Sequence, residues 1–282
     1  MRTISFAKGH GTLNDFVVLV DRHNTNPLSV EDVQLLCDRH AGIGADGVLR
    51  AVKAEHIPEW QGDPTLWFMD HRNADGSPAA MSGNGARVLV HYLADNDWVA
   101  TADVTLATYF GPLEVHLHAD GSISTEVGPV TVSADPVDVS LGGCTRSASY
   151  VDAGNHHCVV MLPEGESVND LDLGQTLTVQ GGQVLPEEKN VAFVQVIDGH
   201  HLAVRFVQRA GGEALSSGTG SVAAVAMHAA TSGTGDGQYR VEVAGGVLHV
   251  TLEQGRAMLK GPSVIVAKGE IQLPDPPDDP EL

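Results

Sequence analysis

Met81-Ser82-Gly83-Asn84-Gly85 has a counterpart later in the chain, Ser216-Ser217-Gly218-Thr219-Gly220, and the two second-position serines lie 135 positions apart (217 − 82). In both stretches a serine precedes a glycine–polar–glycine turn, and helix-compatible sequence follows. A helix N-terminus presents unpaired backbone N–H groups and the positive end of the helix dipole. Each turn is therefore a candidate anion site. Two such turns that face each other predict a carboxylate held between two opposed serine side chains.

The duplication extends beyond the serine turns. The run at 111–117 (GPLEVHL) parallels that at 246–252 (GVLHVTL) with the same offset of 135 (246 − 111). Gly128-Pro129 parallels Gly261-Pro262 with an offset of 133 (261 − 128). A period this long is unlike that of a solenoid. It predicts two similar α/β halves facing each other across a cleft, where ligand sites are common. Chance similarity among glycine-rich strands is the alternative.

Apolar patterning gives a coarse map of secondary structure and domains. Short β-branched runs between glycine-rich turns predict strands at 16–20, 191–196 and 202–207. Three stretches predict helices, at 30–40, 86–93 and 221–231. Loop-like sequence near 130–140 predicts a joint between an N-terminal half at 1–133 and a C-terminal half at 134–262. The acidic, proline-rich stretch 274–282 predicts a disordered tail.

The charge balance disfavours several classes of partner. The 282 residues include 36 acidic and 16 basic side chains, for a formal net charge of −20. Such a chain is poorly suited to binding the nucleic-acid backbone or anionic lipid. The sequence opens without a signal-peptide pattern, and no apolar run approaches the roughly 18 residues of a membrane span. We expect a cytoplasmic protein with neither nucleic-acid nor membrane partners.

Other motifs point away from metal, nucleotide and hydrolase chemistry. The pairs His156-His157 and His200-His201 lack the His-Glu-x-x-His spacing, and no cysteine or carboxylate cluster joins them, so no metal site is predicted. The glycine-rich run 42–47 lacks the lysine of a phosphate loop, and neither serine lies in a Gly-x-Ser-x-Gly motif. His157 differs from the other histidines because it follows Gly154-Asn155, a turn that permits close ligand approach. We place His157 in the cleft.

The motifs together resemble the diaminopimelate epimerase family, and the match runs nearly end to end. It is carried by the two serine turns and by 8–16, 38–47, 72–77, Gly154-Asn155-x-His157, Asn190-Val191 and 261–263. The resemblance implies two similar halves, each a mixed sheet or barrel around a central helix. It also implies that the last strand, about 263–273, packs back onto the first half, and that the protein is a homodimer.

By this resemblance the chain is an epimerase or racemase that inverts an amino-acid α-carbon without pyridoxal phosphate or metal. The default substrate is diaminopimelate. Two cysteines of the family flank that carbon, one removing its proton and the other delivering a proton to the opposite face. The matching positions are Ser82 and Ser217, with His157 and Gln208 as further catalytic positions. The family's substrate-binding positions match Asn14, Asn73, Gly83, Asn84, Asn155, Asn190, Arg209, Gly218 and Thr219.

The two serines limit how much function carries over. A thiol has a pKa of about 8.5, which a helix N-terminus lowers, whereas a serine hydroxyl is far less acidic and needs an adjacent base. Gln208 and Ala214 also depart from the family's Glu-Arg-Gly-x-Gly-Glu-Thr motif, and His156 replaces its usual proline.

Three hypotheses follow from these departures. The chain is an epimerase impaired because serines replace its cysteines, whether naturally or by design. Alternatively, it is a diverged cysteine-free isomerase or cyclase on a related amino acid, with Glu213, His157 or Asp75 as the base. In the third hypothesis it binds an amino acid without catalysis.

Overall fold

The computed structural model describes residues 1–79, 81–181, 190–208 and 212–275. Within these ranges the chain forms three α-helices, α1 (Val30–Cys37), α2 (Gly83–Asp95) and α3 (Gly218–Ser232), and two 3₁₀ turns, Ala54–His56 and Val168–Asp170. The earlier strands are β1 (Arg2–Gly11), β2 (Asn14–Val20), β3 (Gly47–Lys53), β4 (Trp67–Asn73), β5 (Asp103–Thr108), β6 (Gly111–Leu117), β7 (Ile123–Pro129), β8 (Thr131–Leu141) and β9 (Cys144–Asp152). The later strands are β10 (His156–Met161), β11 (Leu177–Gln180), β12 (Asn190–Asp198), β13 (His201–Val207), β14 (Glu213–Ala214), β15 (Gly237–Val243), β16 (Gly246–Glu253), β17 (Arg256–Gly261) and β18 (Val264–Leu273).

One pattern of strand pairing occurs twice. In the first half β2 pairs parallel with β3, β3 antiparallel with β4, β4 parallel with β5, and β5, β6 and β7 continue antiparallel. In the second half β10, β12, β13, β15, β16 and β17 repeat the same order of parallel and antiparallel pairs. The two similar halves predicted from the sequence are confirmed. The α/β label fits loosely because the described residues form many more strands than helices.

The halves are joined by strands that cross between them. β7 and β17 pair antiparallel, from Ile123 opposite Gly261 to Pro129 opposite Arg256. β8 follows β7 into the second half and pairs with β9 and β11, while β18 follows β17 back to the first half and pairs with β1. The joint expected at 133–134 lies within β8, and the division into two domains stays a prediction. Of the expected tail, residues 276–282 lie outside the described residues.

Each half packs its strands around one buried helix. The first core contains α2 residues such as Val88, Leu89 and Leu93, all fully buried. The second contains Val222 and Val225 of α3, also fully buried. A helix that is apolar on every side belongs in a core, which explains why α3 is rich in alanine and valine. Strand pairing and central packing therefore bring the starts of α2 and α3 to the junction of the halves.

The helix boundaries differ from the sequence expectations at their ends. α1 ends at Cys37 rather than at 40, because Asp38 Oδ1 accepts hydrogen bonds from the backbone N–H groups of His40 and Ala41 and forms a turn. α2 and α3 begin three residues earlier than expected, at Gly83 and Gly218. Glycine has a low helix propensity, but a serine N-cap directly before it favours the start of a helix at that glycine. No helix within the described ranges is long and apolar enough to cross a membrane.

Candidate functional site

Ser82 and Ser217 are the N-cap residues of α2 and α3. Ser82 Oγ accepts a hydrogen bond from the Gly85 N–H at 3.0 Å, and Ser217 Oγ accepts one from the Gly220 N–H at 3.1 Å. Both serines have an extended backbone, as N-cap residues do. The two sequence motifs thus form the same local structure, in which each hydroxyl oxygen is fixed beside the first turn of a helix.

The two helix starts lie against each other. A methyl group on Gly218 would lie 3.6 Å from Asn84 Oδ1 and 3.9 Å from the Asn84 backbone nitrogen. Leu259 Cδ2 packs beneath both starts, 2.9 Å from such a methyl group on Gly83 and 2.7 Å from one on Gly218. Because a side chain at either position would collide with Leu259, these glycines permit the close approach.

This arrangement is suited to an anion. Because the serine side chains bond only the Gly85 and Gly220 N–H groups, four N–H groups at these two helix starts lack an acceptor in their own helix or cap among the described residues, namely those of Gly83, Asn84, Gly218 and Thr219. The positive ends of two helix dipoles meet at the same place, which is favourable only with negative charge nearby. Helix starts of this kind bind anions such as a carboxylate or a phosphate.

Buried polar contacts hold the halves together around the helix starts. Thr12 Oγ1 and Ser216 Oγ lie 2.6 Å apart, and Asn84 Nδ2 donates to Ser216 Oγ at 3.4 Å and to Asn14 Oδ1 at 3.1 Å. Thr12 has φ 49°, a strained conformation for a β-branched residue, and Gly245 leaves room for its carbonyl oxygen. Sequence reasoning did not identify Thr12 and Ser216 as site residues. Their only signal was membership of motifs already noted.

Asn155 and His157 contact the start of α3. Asn155 Nδ2 donates to the Met81 carbonyl oxygen at 3.1 Å and to Thr219 Oγ1 at 3.3 Å, so this side chain also links the halves. His157 Nε2 lies 2.9 Å from Thr219 Oγ1, and among the described residues its Nδ1 has no hydrogen-bond partner. Burial, with a smaller contribution from His156, lowers the pKa of His157 to about 3. The imidazole is therefore neutral at pH 7.

A second polar network fixes Asn14 from the side away from the helices. Asn14 Nδ2 donates to Asp46 Oδ2 at 2.8 Å, while its Oδ1 accepts from Asn84. Arg39 bridges Asp46 to Asp15 with hydrogen bonds of 2.8 and 2.9 Å. Burial by itself would raise the pKa of Asp15, but the hydrogen bonds and charges of Arg39 and Lys8 together outweigh it and lower the pKa to about 2. Burial raises the pKa of Asp46, the carboxyl that accepts from Asn14. Asn14 is thus held between the Asp46–Arg39–Asp15 network and the start of α2.

The remaining site residues named from the sequence lie farther from the caps or outside the described residues. Asn190 begins β12 opposite His157, and its Nδ2 donates to the His156 carbonyl oxygen at 3.3 Å. Asn73 ends β4 exposed, and its Nδ2 donates to Ser77 Oγ at 3.0 Å. Gln208 is exposed just after β13, with its N–H bonded to the Gly212 carbonyl oxygen. Arg209 lies outside the described residues, so its role stays a prediction.

Two candidate bases are already engaged by other groups. Glu213 forms two hydrogen bonds of 2.7 Å with Arg205, which lower the pKa of its carboxyl. Asp75 is exposed, and its Oδ1 accepts from the backbone and hydroxyl of Ser77 at 2.8 and 2.6 Å. Within the described ranges no side chain is hydrogen-bonded to Ser82 Oγ or Ser217 Oγ.

A separate cavity of about 380 Å³ opens beside the site. Its lining includes Met81 and Gly154, the residues directly before Ser82 and Asn155, and continues to the exposed ring of Phe110. No described site residue named from the sequence lines it. Among the residues that the structure describes, no group of three His, Cys, Asp or Glu side chains is placed to hold a metal ion.

The cap geometry predicts a stability role for both serines. We expect Ser82→Ala and Ser217→Ala each to lower the free energy of unfolding by about 1 kcal/mol, because each leaves a helix N–H group without its acceptor. Ser147→Ala, at an exposed position of β9, is the control and should change it by less than about 0.5 kcal/mol. Urea denaturation measures all three, and equal stability of the three variants would contradict the capping role.

The buried His157 predicts a pH dependence of stability. Its pKa is about 3 in the folded chain and about 6.5 when exposed, so the unfolded state binds more protons between these values. Stability should therefore fall as the pH drops from about 6.5 toward 3, by up to about 1.4 kcal/mol per pH unit from this residue. His157→Asn removes that contribution, and His156→Gln, at the exposed neighbour, retains it. Identical pH profiles for the two variants in chemical denaturation would refute the assignment.

Comparison with known proteins gives relatives along nearly the whole chain. The family model "Diaminopimelate epimerase" matches residues 6–133 and 149–273. A diaminopimelate epimerase of Corynebacterium glutamicum strain R is 38% identical over 278 residues, covering 96% of this chain and 99% of the relative. One of Thermobifida fusca strain YX is 40% identical over 276 residues, covering 95% of this chain and 98% of the relative.

Solved structures of low sequence identity share the fold. A PhzF-family phenazine biosynthesis protein of Bacillus anthracis has a TM-score of 0.69 at 16% identity, covering 97% of this chain and 100% of the other. A hydroxyproline epimerase of Agrobacterium vitis, solved with bound trans-4-hydroxy-L-proline, has a TM-score of 0.70 at 15% identity, covering 98% and 94%. The sequence resemblance is thus confirmed by the family model and the relatives, and the chain belongs to the diaminopimelate epimerase family of isomerases.

Proposed function

We propose that the cleft between α2 and α3 binds diaminopimelate or a related amino acid, with the α-carboxylate at the two helix starts. The observation that carries this proposal is the apposition of two capped helix N-termini across the junction of the halves. Ser82 and Ser217 then lie on opposite sides of the α-carbon. Diaminopimelate is the substrate class because the relatives with 38–40% identity are diaminopimelate epimerases.

The reaction that this geometry serves is proton exchange at one carbon. A base on one face takes the α-proton, the electron pair left on the carbon delocalises into the carboxylate, and an acid on the opposite face returns a proton to that carbon. The N–H groups at both helix starts stabilise the charge that develops on the carboxylate. No electrons are transferred overall, so no redox cofactor takes part, and inversion results because the two protons use opposite faces.

Proton transfer is the step for which the serines are poorly suited. Each Oγ accepts an N–H hydrogen bond, which favours an oxyanion, but a hydroxyl still needs a base to remove its proton. His157 is a weak base because burial holds its pKa at about 3, and Arg205 occupies Glu213. We propose that the chain binds its amino acid and exchanges the α-proton slowly. The low pKa of His157 and the pairing of Glu213 with Arg205 therefore favour impaired epimerisation over a mechanism in which either residue is the base.

Because the starts of α2 and α3 face each other, we predict that replacing both serines with cysteine restores activity. We expect Ser82→Cys/Ser217→Cys to raise the rate of α-proton exchange by roughly 10²-fold or more, since a positioned acid or base typically contributes 10²–10⁴-fold. The measurement follows loss of the α-proton NMR signal of diaminopimelate in deuterated buffer.

Ser82→Ala/Ser217→Ala is the matched control, which should bind the amino acid in calorimetry without exchange. Binding by all variants with no exchange in the cysteine pair would contradict the epimerase proposal and leave an amino-acid-binding protein. Fast exchange by the unmodified chain that His157→Asn or Glu213→Gln abolishes would instead identify a cysteine-free isomerase.

Assembly and location form a further part of the proposal. We propose a homodimer, as the family resemblance implies, and a cytoplasmic location. β18 supports an interface between copies because it presents Val264 and Val266 with 42% and 55% of their surfaces exposed. Sedimentation velocity should give twice the mass of one chain. The Val266→Lys variant should give a lower mass, closer to that of a single chain. A single-chain mass for the unmodified protein would contradict the dimer.

A further inference from the structure

Arg87 is a fully buried cation one helical turn beyond Ser82. Its side chain has no exposed surface, and its Nη2 donates to Asn84 Oδ1 at 2.7 Å. Its Nε donates to the Pro262 carbonyl oxygen at 3.4 Å, while its Nη1 has no hydrogen-bond partner among the described residues. The same residues include no carboxylate paired with this guanidinium. Arg87 therefore differs from an ordinary structural arginine, whose charge is paired.

Glycines create the space that the guanidinium occupies. A methyl group on Gly11 would lie 3.0 Å from Arg87 Nη2, one on Gly261 would lie 3.2 Å from it, and one on Gly83 would lie 3.9 Å from Nη1. The unpartnered Nη1 is thus close to the first residue of α2. Thr125 Oγ1, another buried polar atom without a described partner, lies 3.1 Å from the same methyl position. The cation is held directly behind the helix start.

A buried charge without a counter-ion is costly, and an apolar side chain of similar size would be cheaper. Burial lowers the pKa of the Arg87 guanidinium to about 9, so the side chain is still a cation at pH 7. Together with two helix dipoles, it gives the junction an uncompensated positive charge. An anionic ligand group at the helix starts would supply the missing negative charge.

Arg87 also orients the Asn84 amide. Because Asn84 Oδ1 accepts from Arg87, the Asn84 Nδ2 group faces the opposite way, toward Asn14 and Ser216. The amide donor is thereby turned toward the junction of the halves. One buried side chain therefore determines both the charge behind the site and the direction of a donor within it.

We propose that Arg87 is a positioning residue whose buried charge, transmitted through Asn84 and the start of α2, is balanced by the carboxylate of the bound amino acid. This rests on the proposed function, which places that carboxylate at the helix starts. The empty site is destabilised by its own positive charge, and the ligand relieves it. Carboxylate binding and stability should consequently respond to Arg87 in opposite directions.

Two ligands and two buried arginines test this assignment. Acetate, at constant ionic strength, tests the carboxylate site alone, and diaminopimelate tests the proposed ligand. Arg87→Met should keep or raise the melting temperature of the ligand-free chain, abolish stabilisation by acetate and weaken diaminopimelate binding about 30-fold or more. The control is Arg50→Met, because Arg50 is also buried but is paired with Asp21 and Asp70 at 2.9 and 3.0 Å. It should lower the melting temperature and leave both affinities unchanged.

The opposite result would overturn the proposal. If Arg87→Met lowers the melting temperature while both affinities stay within about twofold, Arg87 is a structural residue. If Arg87→Met does not fold, Arg87→Lys and Arg87→Gln decide the matter. Acetate stabilisation retained with lysine and lost with glutamine supports the charge role, and equal loss in both contradicts it.

The two ligands separate this proposal from the proposed function. Acetate stabilisation that depends on Arg87, in a chain that does not bind diaminopimelate, supports the role of Arg87 and refutes the proposed function. Diaminopimelate binding that is unaffected by Arg87→Met refutes the role of Arg87 and retains the proposed function. If neither ligand stabilises the unmodified chain, both proposals fail.

Discussion

Positive charge concentrated at the junction of two similar halves is the constraint on which this structure depends. The starts of α2 and α3 meet over Leu259, and the cation of Arg87 lies buried behind one of them. The positive ends of the two helix dipoles repel each other, so packing and hydrogen bonds elsewhere must hold the helix starts together. Gly83 and Gly218 permit the approach, and the β7–β17 pairing fixes the halves on either side. Such a junction is stabilised by an anion.

The duplicated architecture explains how a single local motif yields a site with two faces. Each half supplies one helix, one serine cap and one set of N–H groups, and pairing of equivalent strands places them opposite each other. Inversion at a carbon needs this kind of symmetry, because the proton leaves from one face and arrives on the other. The serine oxygens satisfy the helix starts well, yet a good cap is a poor acid. Capping the helix and transferring a proton thus place different chemical requirements on the same serine Oγ.

Much of the site followed from the sequence because its parts are local. A serine before a glycine–polar–glycine turn predicts a helix N-terminus from nearby residues alone, and the 135-residue offset predicts that two of them belong together. Both helices begin three residues before the expected stretches 86–93 and 221–231, because the serine cap starts each helix despite the low helix propensity of glycine. β4 and β13 lead Asn73 and Gln208 to exposed positions that no local pattern specified.

What the sequence could not give were contacts between distant segments. Thr12 and Ser216 meet because the turn between β1 and β2 adopts a strained conformation and reaches the second half. The low pKa of His157 and the isolation of Arg87 are properties of burial, which depends on the complete packing around them. A histidine or arginine looks the same in a sequence whether it is solvated or enclosed.

The most direct measurement of the central claim is a crystal structure of this chain with diaminopimelate. The account predicts one carboxylate within hydrogen-bond distance of backbone N–H groups at the starts of both α2 and α3, with Ser82 Oγ and Ser217 Oγ on opposite sides of the adjoining carbon. Amino acid bound elsewhere, or a carboxylate that contacts only one helix start, would contradict it.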